Sequence, residues 1–272
     1  MPATFAERLA ARVNAVGAPL CVGLDPHLSR IAGLDAADAA AGVWAFSERV
    51  IEAVAPHAAM LKPQSAFFEA LGAPGVAVLQ RVIRRAQGAG LLVLLDAKRG
   101  DIGSTAEAYA RATLDDAGPM GADAVTLSPY LGPESLAPFA DRFVDGKGAF
   151  VLVRTSNPGA GPWQVQGGIA ERVAGWVEDH AQSAGAVIAA TLPSGEGARW
   201  RARMPTAWFL VPGVGAQGAT PAQVHGHRRA DGSGALITSS RAVLFPATGA
   251  DAPDEVVVAV GRRARTLAAA LW

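Results

Sequence analysis

Four charged side chains lie within six positions at the end of a strongly apolar segment of this chain. The segment "LLVLLDAKRGDIGST", residues 91–105, leads from large apolar residues directly into Asp96, Lys98, Arg99 and Asp101. Residues two apart on a strand point to the same side, so we expect the side chains of Asp96 and Lys98 to be neighbours. Carboxylates beside an ammonium group can form a structural ion pair, or they can shape the electrostatic field around a reacting substrate.

A second lysine favours the catalytic interpretation. Lys62 ends another apolar run, in "AAMLKPQSAFFE". If the two runs form neighbouring strands, the charges alternate as Lys62, Asp96, Lys98 and Asp101. An isolated Asp-x-Lys-x-x-Asp spacing is equally compatible with a salt bridge at the edge of a sheet, but the alternating set predicts a reacting centre.

A separate anion-binding site is predicted later in the chain. The segment "VPGVGAQG", residues 211–218, contains Gly213, Gly215 and Gly218, whose backbone amides can be exposed to an anion. The segment "SSRA" follows the next apolar run and places Arg241 where it can bind an anion. A glycine-rich loop alone is often an ordinary turn, but loops after the seventh and eighth strands of barrels frequently bind phosphate.

Three other polar segments are open to more than one interpretation. Asp25 in "GLDPH" follows an apolar run and is compatible with a simple turn. The segment "SNPGAGPW", residues 156–163, can face a planar ligand or form a surface loop. His225 and His227 in "HGHRRADG" have no carboxylate or cysteine at metal-ligand spacing, so we expect a solvated loop and no metal site.

The scaffold for these residues is predicted from the apolar runs. Eight short runs rich in Val, Leu and Ile lie near residues 20, 60, 93, 125, 151, 188, 210 and 237. Their interiors are continuously apolar, which is typical of parallel strands that are covered on both faces. Helical patterns lie between them, and "STAE" at residues 104–107 has the spacing of a helix-starting capping box. An open doubly wound sheet has a similar pattern, but polar clusters after nearly every run favour a (β/α)₈ TIM barrel.

Composition excludes several classes of protein. Residues 1–272 contain no linker-like segment, so we expect a single barrel domain ending in an amphipathic helix. The 24 Lys and Arg residues balance 24 Asp and Glu residues, which leaves no net field to attract nucleic acid or an anionic membrane. Neither a signal peptide nor a membrane-spanning stretch is recognisable, so we expect a cytoplasmic protein. The single cysteine, Cys21, excludes an internal disulfide and is predicted to be buried.

Five of these segments together resemble a known enzyme family. They are "DAKRGDIGST", "LKPQSAFFE", "RTSNPGA", "PGVGAQG" and "SSRA", and they resemble the longer-chain bacterial orotidine 5′-phosphate decarboxylases from about Cys21 to Phe245. The resemblance implies a homodimeric barrel, without metal or cofactor, that converts orotidine 5′-monophosphate to UMP and CO₂ in de novo pyrimidine biosynthesis.

The resemblance also implies roles for individual residues. Lys62, Asp96, Lys98 and Asp101 match the charged tetrad of the family, with Lys98 as the proton donor to the pyrimidine C6. Asp101 and Thr105 match residues that are supplied to the site of the partner subunit. The implied substrate contacts are Asp25 with the ribose, Ser156 with the pyrimidine, and Gln217 and Arg241 with the phosphate; Pro212 and Ser240 complete the set of binding candidates.

Two features depart from the family pattern. Many members have glycine before the phosphate-binding arginine, where this chain has Ser240, so either the hydroxyl or the backbone amide of Ser240 could meet the phosphate. The "HGHRRADGSG" insert before the last apolar run, residues 225–234, is not accounted for by the matching segments.

Three alternative functions are compatible with a phosphate-binding barrel. A sugar-phosphate decarboxylase or aldolase that uses Mg²⁺ would need a carboxylate in place of Lys62, since an ammonium repels a cation. A Schiff-base aldolase would use Lys62 or Lys98 as a nucleophile and would need that lysine to be neutral. A barrel that binds a phosphate ligand without catalysis is the third alternative.

Overall fold

Eight parallel strands close into a barrel in the computed structural model, which describes residues 2–31, 34–215, 218–245 and 253–271. Each strand pairs with the next along the chain, and the last pairs with the first, with Leu20 opposite Ile237. All eight predicted runs form strands, so the (β/α)₈ prediction is confirmed and the open sheet is excluded. The strands are β1 (Leu20–Leu24), β2 (Met60–Pro63), β3 (Leu92–Arg99), β4 (Ala124–Leu127), β5 (Gly148–Arg154), β6 (Ala184–Ile188), β7 (Trp208–Pro212) and β8 (Ala235–Ser239).

Helices connect these strands and cover the barrel. Within the described ranges, no helix has both the length and the apolar character needed to cross a bilayer. A π-helix covers Gly161–Gln166, and short 3₁₀ segments cover Leu28–Arg30, Ala36–Asp38, Pro133–Ser135, Phe143–Asp145 and Pro221–His227. The α-helices are α1 (Phe5–Val16), α2 (Ala39–Val54), α3 (Ser65–Glu69), α4 (Gly72–Gly88), α5 (Gly103–Leu114), α6 (Ala137–Ala140), α7 (Ile169–Asp179), α8 (Glu196–Arg203), α9 (Arg241–Leu244) and α10 (Pro253–Ala269).

The outer helices pack their apolar stripes against the barrel. Burying a large aliphatic side chain contributes about 1.5–3 kcal/mol, so these stripes hold the helices in place. The predicted closing helix is confirmed as α10, which packs against α2. Two of these stripes are fully buried, with Val43, Phe46, Val50, Ile51 and Val54 in α2 and Leu79, Val82, Ile83 and Ala86 in α4.

Helix α1 closes the amino-terminal end of the barrel. Phe5 meets Phe150 edge to face, with ring centroids 6.0 Å apart. Gly148 is the first residue of β5, and a Cβ atom there would lie 2.4 Å from the Phe5 ring. Strand β5 must therefore begin with glycine. Cys21 is buried in the same core as predicted, and burial raises the pKa of its thiol to about 12. This packing fills the amino-terminal end of the barrel.

The predicted capping box of α5 is wrong. The helix begins at Gly103, so Ser104 lies inside the helix and its hydroxyl caps no backbone amide. The residue before the helix is Ile102, and no side chain caps the first turn; Asp101 Oδ1 accepts a hydrogen bond from the Ile102 N–H at 2.8 Å.

The predicted solvated loop at the two histidines is confirmed for His225 and wrong for His227. His225 is exposed, whereas His227 is only 2% exposed and its Nε2 lies 3.1 Å from the Ala189 carbonyl oxygen. Burial lowers the pKa of the His227 imidazole below its ordinary value, which favours the neutral ring. The histidine pattern did not indicate this burial, because the partners of His227 are distant in sequence.

A buried arginine in α8 organises the insert that contains His227. The guanidinium of Arg201 donates to the carbonyl oxygens of His227, at 2.9 and 3.1 Å, and Gly234, at 2.8 Å. It also donates at 2.8 Å to the carbonyl oxygens of Met204 and Ala207. Burial lowers the pKa of this guanidinium to about 10. The insert is therefore tied to the residues that precede β7 and β8, and it has a structural role.

Candidate active site

A cavity of about 370 Å³ opens among the carboxyl ends of the strands. Every strand, or the loop after it, contributes to its wall, as expected for the binding end of a (β/α)₈ barrel. The predicted site residues found in the wall are Asp25, Lys62, Asp96, Lys98, Pro212, Ser240 and Arg241.

Asp96 is the centre of the charged cluster in this cavity. Its residue is 5% exposed, and its Oδ2 accepts a hydrogen bond from the Lys62 ammonium at 2.5 Å. Its Oδ1 accepts from the Lys98 ammonium at 2.5 Å and from the Thr126 hydroxyl at 2.9 Å. The predicted adjacency of Asp96 and Lys98 is confirmed, and the two lysines meet on one carboxylate as the alternating charges indicated.

An irregularity in β3 directs Lys98 towards Asp96. The pairing register between β3 and β4 shifts between Leu95 and Arg99, and Lys98 has φ = 47°. Among the described residues, it is the one non-glycine residue with a positive φ, a conformation that costs on the order of 1–3 kcal/mol. The Thr126 hydroxyl oxygen stabilises the irregularity by accepting hydrogen bonds from the Ala97 and Lys98 amides, at 3.0 and 2.9 Å. Thr126 therefore fixes both the backbone and the carboxylate.

The buried pair is charged at neutral pH. Burial acts to lower the pKa of Lys62, but attraction to Asp96 and Asp25 outweighs it, so the pKa lies above its ordinary value. Burial acts to raise the pKa of Asp96, but attraction to Lys62 and Lys98 outweighs it and the pKa falls to about 2. The cluster thus presents two ammonium groups around one carboxylate. The described ranges contain no group of three or more His, Cys, Asp or Glu side chains that could hold a metal ion.

Asp25 and Ser240 form a second polar pair across β1 and β8. The Ser240 hydroxyl donates to Asp25 Oδ2 at 2.5 Å. A Cβ atom at Gly23 would lie 2.9 Å from the Ser240 Cβ, so glycine at this position makes room for the serine. The Asp25 Oδ1 is buried and has no hydrogen-bond partner among the described residues, so it can accept a hydrogen bond from a ligand hydroxyl.

The glycine-rich loop after β7 differs from its prediction. Gly213 lies in the cavity wall, but the Gly215 amide donates to the Ala219 carbonyl at 2.9 Å. The Gly218 amide donates to the Gly215 carbonyl at 2.9 Å. The positive φ angles of Gly215 and Gly218, 87° and 91°, close a tight turn that uses these amides internally. Of the three predicted amide donors, those of Gly215 and Gly218 therefore form hydrogen bonds within the loop and are not free to bind an anion.

Arg241 completes this side of the cavity. It follows β8, is exposed at the rim, and is paired with no carboxylate in the part of the chain that is described. Its guanidinium is therefore available to an anion beside Pro212 and Gly213. Gln217 lies outside the described residues.

Three predicted residues lie outside the cavity wall. Asp101 is half-buried in the loop after β3, and Thr105 is exposed in the first turns of α5. Ser156 is exposed in the loop after β5, directly after Thr155, which does line the cavity. Asp101 and Thr105 are therefore separated from the cavity of their own chain, whereas Ser156 directly adjoins its wall.

Other residues in the wall were missed by sequence reasoning. Thr126 ends the run "DAVTL", and a hydroxyl at the end of an apolar strand is the signal that could have identified it. Phe67 lies beside His27, with ring centroids 4.6 Å apart, and an aromatic residue within an apolar segment is no signal of a cavity wall. The missed wall residues are Gln64, Phe67, Thr126, Leu152, Thr155, Val187, Leu210, Val214 and Thr238.

Comparison with known proteins identifies the family. The profile of the Orotidine 5′-phosphate decarboxylase / HUMPS family matches residues 18–256. Orotidine 5′-phosphate decarboxylase from Deinococcus radiodurans is 45% identical over 256 residues, covering 90% of each chain. The protein of the same name from Natronomonas pharaonis is 42% identical over 274 residues, covering 97% of each chain. The structure of Leishmania donovani OMP decarboxylase has a TM-score of 0.80 and 38% identity, covering 98% of this chain and 97% of that chain. This chain therefore belongs to the orotidine 5′-phosphate decarboxylase / HUMPS family.

Proposed function

We propose that this chain converts orotidine 5′-monophosphate to UMP and CO₂. The observation that carries the proposal is the buried Asp96 carboxylate held between the ammonium groups of Lys62 and Lys98, each 2.5 Å away. Relatives more than 40% identical over nearly the whole chain are named for this activity. The family description joins orotidine 5′-phosphate decarboxylase with HUMPS, so the proposal of the decarboxylase activity depends on the charged cluster and on these relatives.

The cluster suits a reaction that passes through a carbanion. Breaking the bond between C6 and the carboxyl group leaves an electron pair on C6, and the enzyme must favour that charge over the preceding carboxylate. Asp96, ionised because its pKa is about 2, would repel the substrate carboxylate. The Lys98 ammonium would stabilise the electron pair on C6 and then transfer a proton to it, leaving a neutral amine that solvent reprotonates.

The two lysines have different environments, which supports different roles. The Lys62 side chain is 10% exposed and fixed by its ion pair, whereas the Lys98 side chain is 45% exposed towards the open cavity. Lys98 is therefore the better candidate for the proton donor, and Lys62 for the group that holds Asp96 ionised. The buried ammonium of Lys62 also argues against the Mg²⁺-dependent alternative, because it repels a cation, and against Lys62 as a Schiff-base nucleophile, because it is not neutral.

The remaining polar groups suggest how the nucleotide lies in the cavity. Arg241 and the loop at Pro212 and Gly213 would hold the phosphate. The free Oδ1 of Asp25 would accept from a ribose hydroxyl. Because the Ser240 hydroxyl donates to Asp25, its backbone amide is the better candidate for a phosphate contact. The further proposed contacts are Ser156 with the base and Gln217 with the phosphate.

A homodimer with shared sites would account for Asp101 and Thr105. Neither residue lines the cavity of its own chain, and the loop between them carries Ile102, an apolar residue that is 55% exposed. In a two-fold dimer, this loop would bring Asp101 of each subunit to the cluster of its partner. The single domain, the cytoplasmic location and the absence of a cofactor stay predictions.

A metal-free assay tests the proposed activity. Protein freed of divalent metals is mixed with orotidine 5′-monophosphate and EDTA, and substrate loss is followed by absorbance while UMP is identified chromatographically. We expect stoichiometric UMP and CO₂, unchanged by EDTA and without borohydride trapping of a lysine. Turnover only after Mg²⁺ addition, covalent trapping, or binding of UMP without any turnover would each favour one of the alternative functions.

A further inference from the structure

Thr155, in the wall of the cavity, has its polar groups held by three neighbouring side chains. Its N–H donates to Gln164 Oε1 at 2.9 Å, and its hydroxyl oxygen accepts from Gln164 Nε2 at 2.8 Å. The hydroxyl also donates to Asn157 Oδ1 at 2.6 Å, and the carbonyl accepts from the Arg154 guanidinium at 2.7 Å. The backbone at this point is therefore fixed by the surrounding protein before any ligand arrives.

Gln164 is the residue that makes two of these contacts. It is half-buried in the π-helix Gly161–Gln166, a rare form that frequently occurs at functional sites. Both ends of its amide group bind the same residue nine positions earlier, which closes the intervening loop. That loop contains Ser156, the proposed base contact. The position of Ser156 therefore depends on the amide of Gln164.

The order of the strands indicates which part of the substrate this loop meets. In the closed eight-stranded barrel, β5 lies across the mouth from β1. The proposed phosphate contacts follow β7 and β8, and the charged cluster at C6 follows β2 and β3. The edge of the base that points away from C6 must therefore face the strands that remain, β4 to β6. Thr155 lies in that part of the wall.

We infer that Gln164 is a positioning residue that holds Thr155 and Ser156 against the pyrimidine base. This inference rests on the proposed function, because it takes a pyrimidine nucleotide as the ligand. The fixed loop would contact the base equally in the substrate, in the transition state and in UMP. Such uniform binding changes KM and the Kd of UMP but leaves kcat unchanged.

Three variants test this role. Gln164→Met keeps the side-chain length and removes both hydrogen bonds to Thr155, while Gln164→Glu keeps oxygen atoms that can accept from the Thr155 N–H and hydroxyl. Gln166→Met is the matched control, because Gln166 is exposed in the same π-helix. Kinetics with orotidine 5′-monophosphate and calorimetry with UMP and with ribose 5-phosphate are measured for each variant. Ribose 5-phosphate carries the phosphate and ribose but lacks the base.

We expect Gln164→Met to raise KM and the Kd of UMP about tenfold each, the effect of losing two hydrogen bonds of modest net value. We also expect kcat to stay within about twofold of wild type. The Kd of ribose 5-phosphate should not change, Gln164→Glu should recover most of the UMP affinity, and Gln166→Met should match wild type. The inference requires this difference between UMP and ribose 5-phosphate.

Equal weakening of UMP and ribose 5-phosphate, or UMP affinity equal to wild type in Gln164→Met, would overturn the inference. A fall in kcat with unchanged KM would also overturn it, since Gln164 would then act on the chemical step. If wild type binds UMP with the expected dependence on Gln164 but releases no CO₂, the proposed function fails and the positioning role stands. If wild type does not bind UMP, both fail.

Discussion

The Lys62 ammonium and the Asp96 carboxylate lie 2.5 Å apart across β2 and β3, and both residues are buried. Removing two charges from water is costly, and a buried pair is stable only while both partners remain and their other hydrogen bonds are satisfied. Lys98 and Thr126 supply those further hydrogen bonds to Asp96. Two ammonium groups therefore share the Asp96 carboxylate at the place where the proposed carbanion forms.

Replacing Asp96 with asparagine should therefore destabilise the protein. Asp96→Asn leaves the Lys62 ammonium buried without a counter-charge, and we expect a loss of about 3–5 kcal/mol in the free energy of unfolding. The double variant Asp96→Asn/Lys62→Met should recover much of this loss, because it removes the uncompensated charge. Urea denaturation of both variants and of Lys62→Met gives their free energies of unfolding, from which the coupling energy between Asp96 and Lys62 is calculated. Additive losses would mean that the pair is not coupled.

The stability of this pair should depend on pH in the acid range. The pKa of Asp96 is about 2 in the folded state and about 3.9 for an unperturbed aspartate, so the ionised form stabilises the fold. The contribution is complete above about pH 4 and is lost as the pH falls towards 2, a change of about 2–3 kcal/mol. The difference in unfolding free energy between wild type and Asp96→Asn should therefore shrink over this window. A difference that stays constant between pH 6 and pH 2 would contradict the assigned charge state.

Arg241 should act through the phosphate alone. We expect Arg241→Ala to lower kcat/KM for orotidine 5′-monophosphate by on the order of 100-fold while scarcely changing it for the phosphate-free nucleoside. Arg262→Ala, which removes an exposed arginine from α10, is the control and should leave both substrates unaffected. Equal losses on the two substrates would mean that Arg241 supports the structure and does not bind phosphate.

The barrel could be predicted because each strand is recognisable from a short stretch of sequence. Continuous apolar runs indicate buried parallel strands, and a two-residue spacing is sufficient to bring Asp96 and Lys98 together. What could not be predicted depends on contacts between distant segments. The Ser240 hydroxyl meets Asp25 across 215 positions, and Thr126 meets Asp96 across 30. Neither partner has a sequence pattern that identifies the other.

Backbone conformation accounts for the other differences. The register shift in β3 and the positive φ of Lys98 could not be predicted, because the residue with the unusual conformation is a lysine and not a glycine. In the loop after β7, glycines did indicate a special conformation, but not that Gly215 and Gly218 would use their amides within the loop. The burial of His227 depends on Arg201, which lies 26 positions earlier and donates to its carbonyl. Spacing rules describe single elements, and these features arise where elements meet.

Mixing inactive subunits tests whether Asp101 acts across a dimer. We expect Lys98→Ala and Asp101→Ala each to be inactive alone. In a two-fold dimer with shared sites, a heterodimer of the two has one site that lacks both groups and one intact site. Random exchange of equal amounts should therefore restore about a quarter of wild-type sites. If exchange is verified by mass spectrometry and no activity returns, Asp101 and Thr105 do not serve the partner's site.

The most direct test of the proposed chemistry is the turnover of Lys98→Ala compared with its affinity for UMP. UMP lacks the charge that forms at C6, so Lys98 should matter for the reaction and little for product binding. We expect Lys98→Ala to lose kcat by more than about 1,000-fold while the Kd of UMP stays within about threefold of wild type. Arg99→Ala, which removes the next cation along the chain, should retain both activity and binding. Turnover of Lys98→Ala within tenfold of wild type would contradict the assignment of Lys98 as the proton donor.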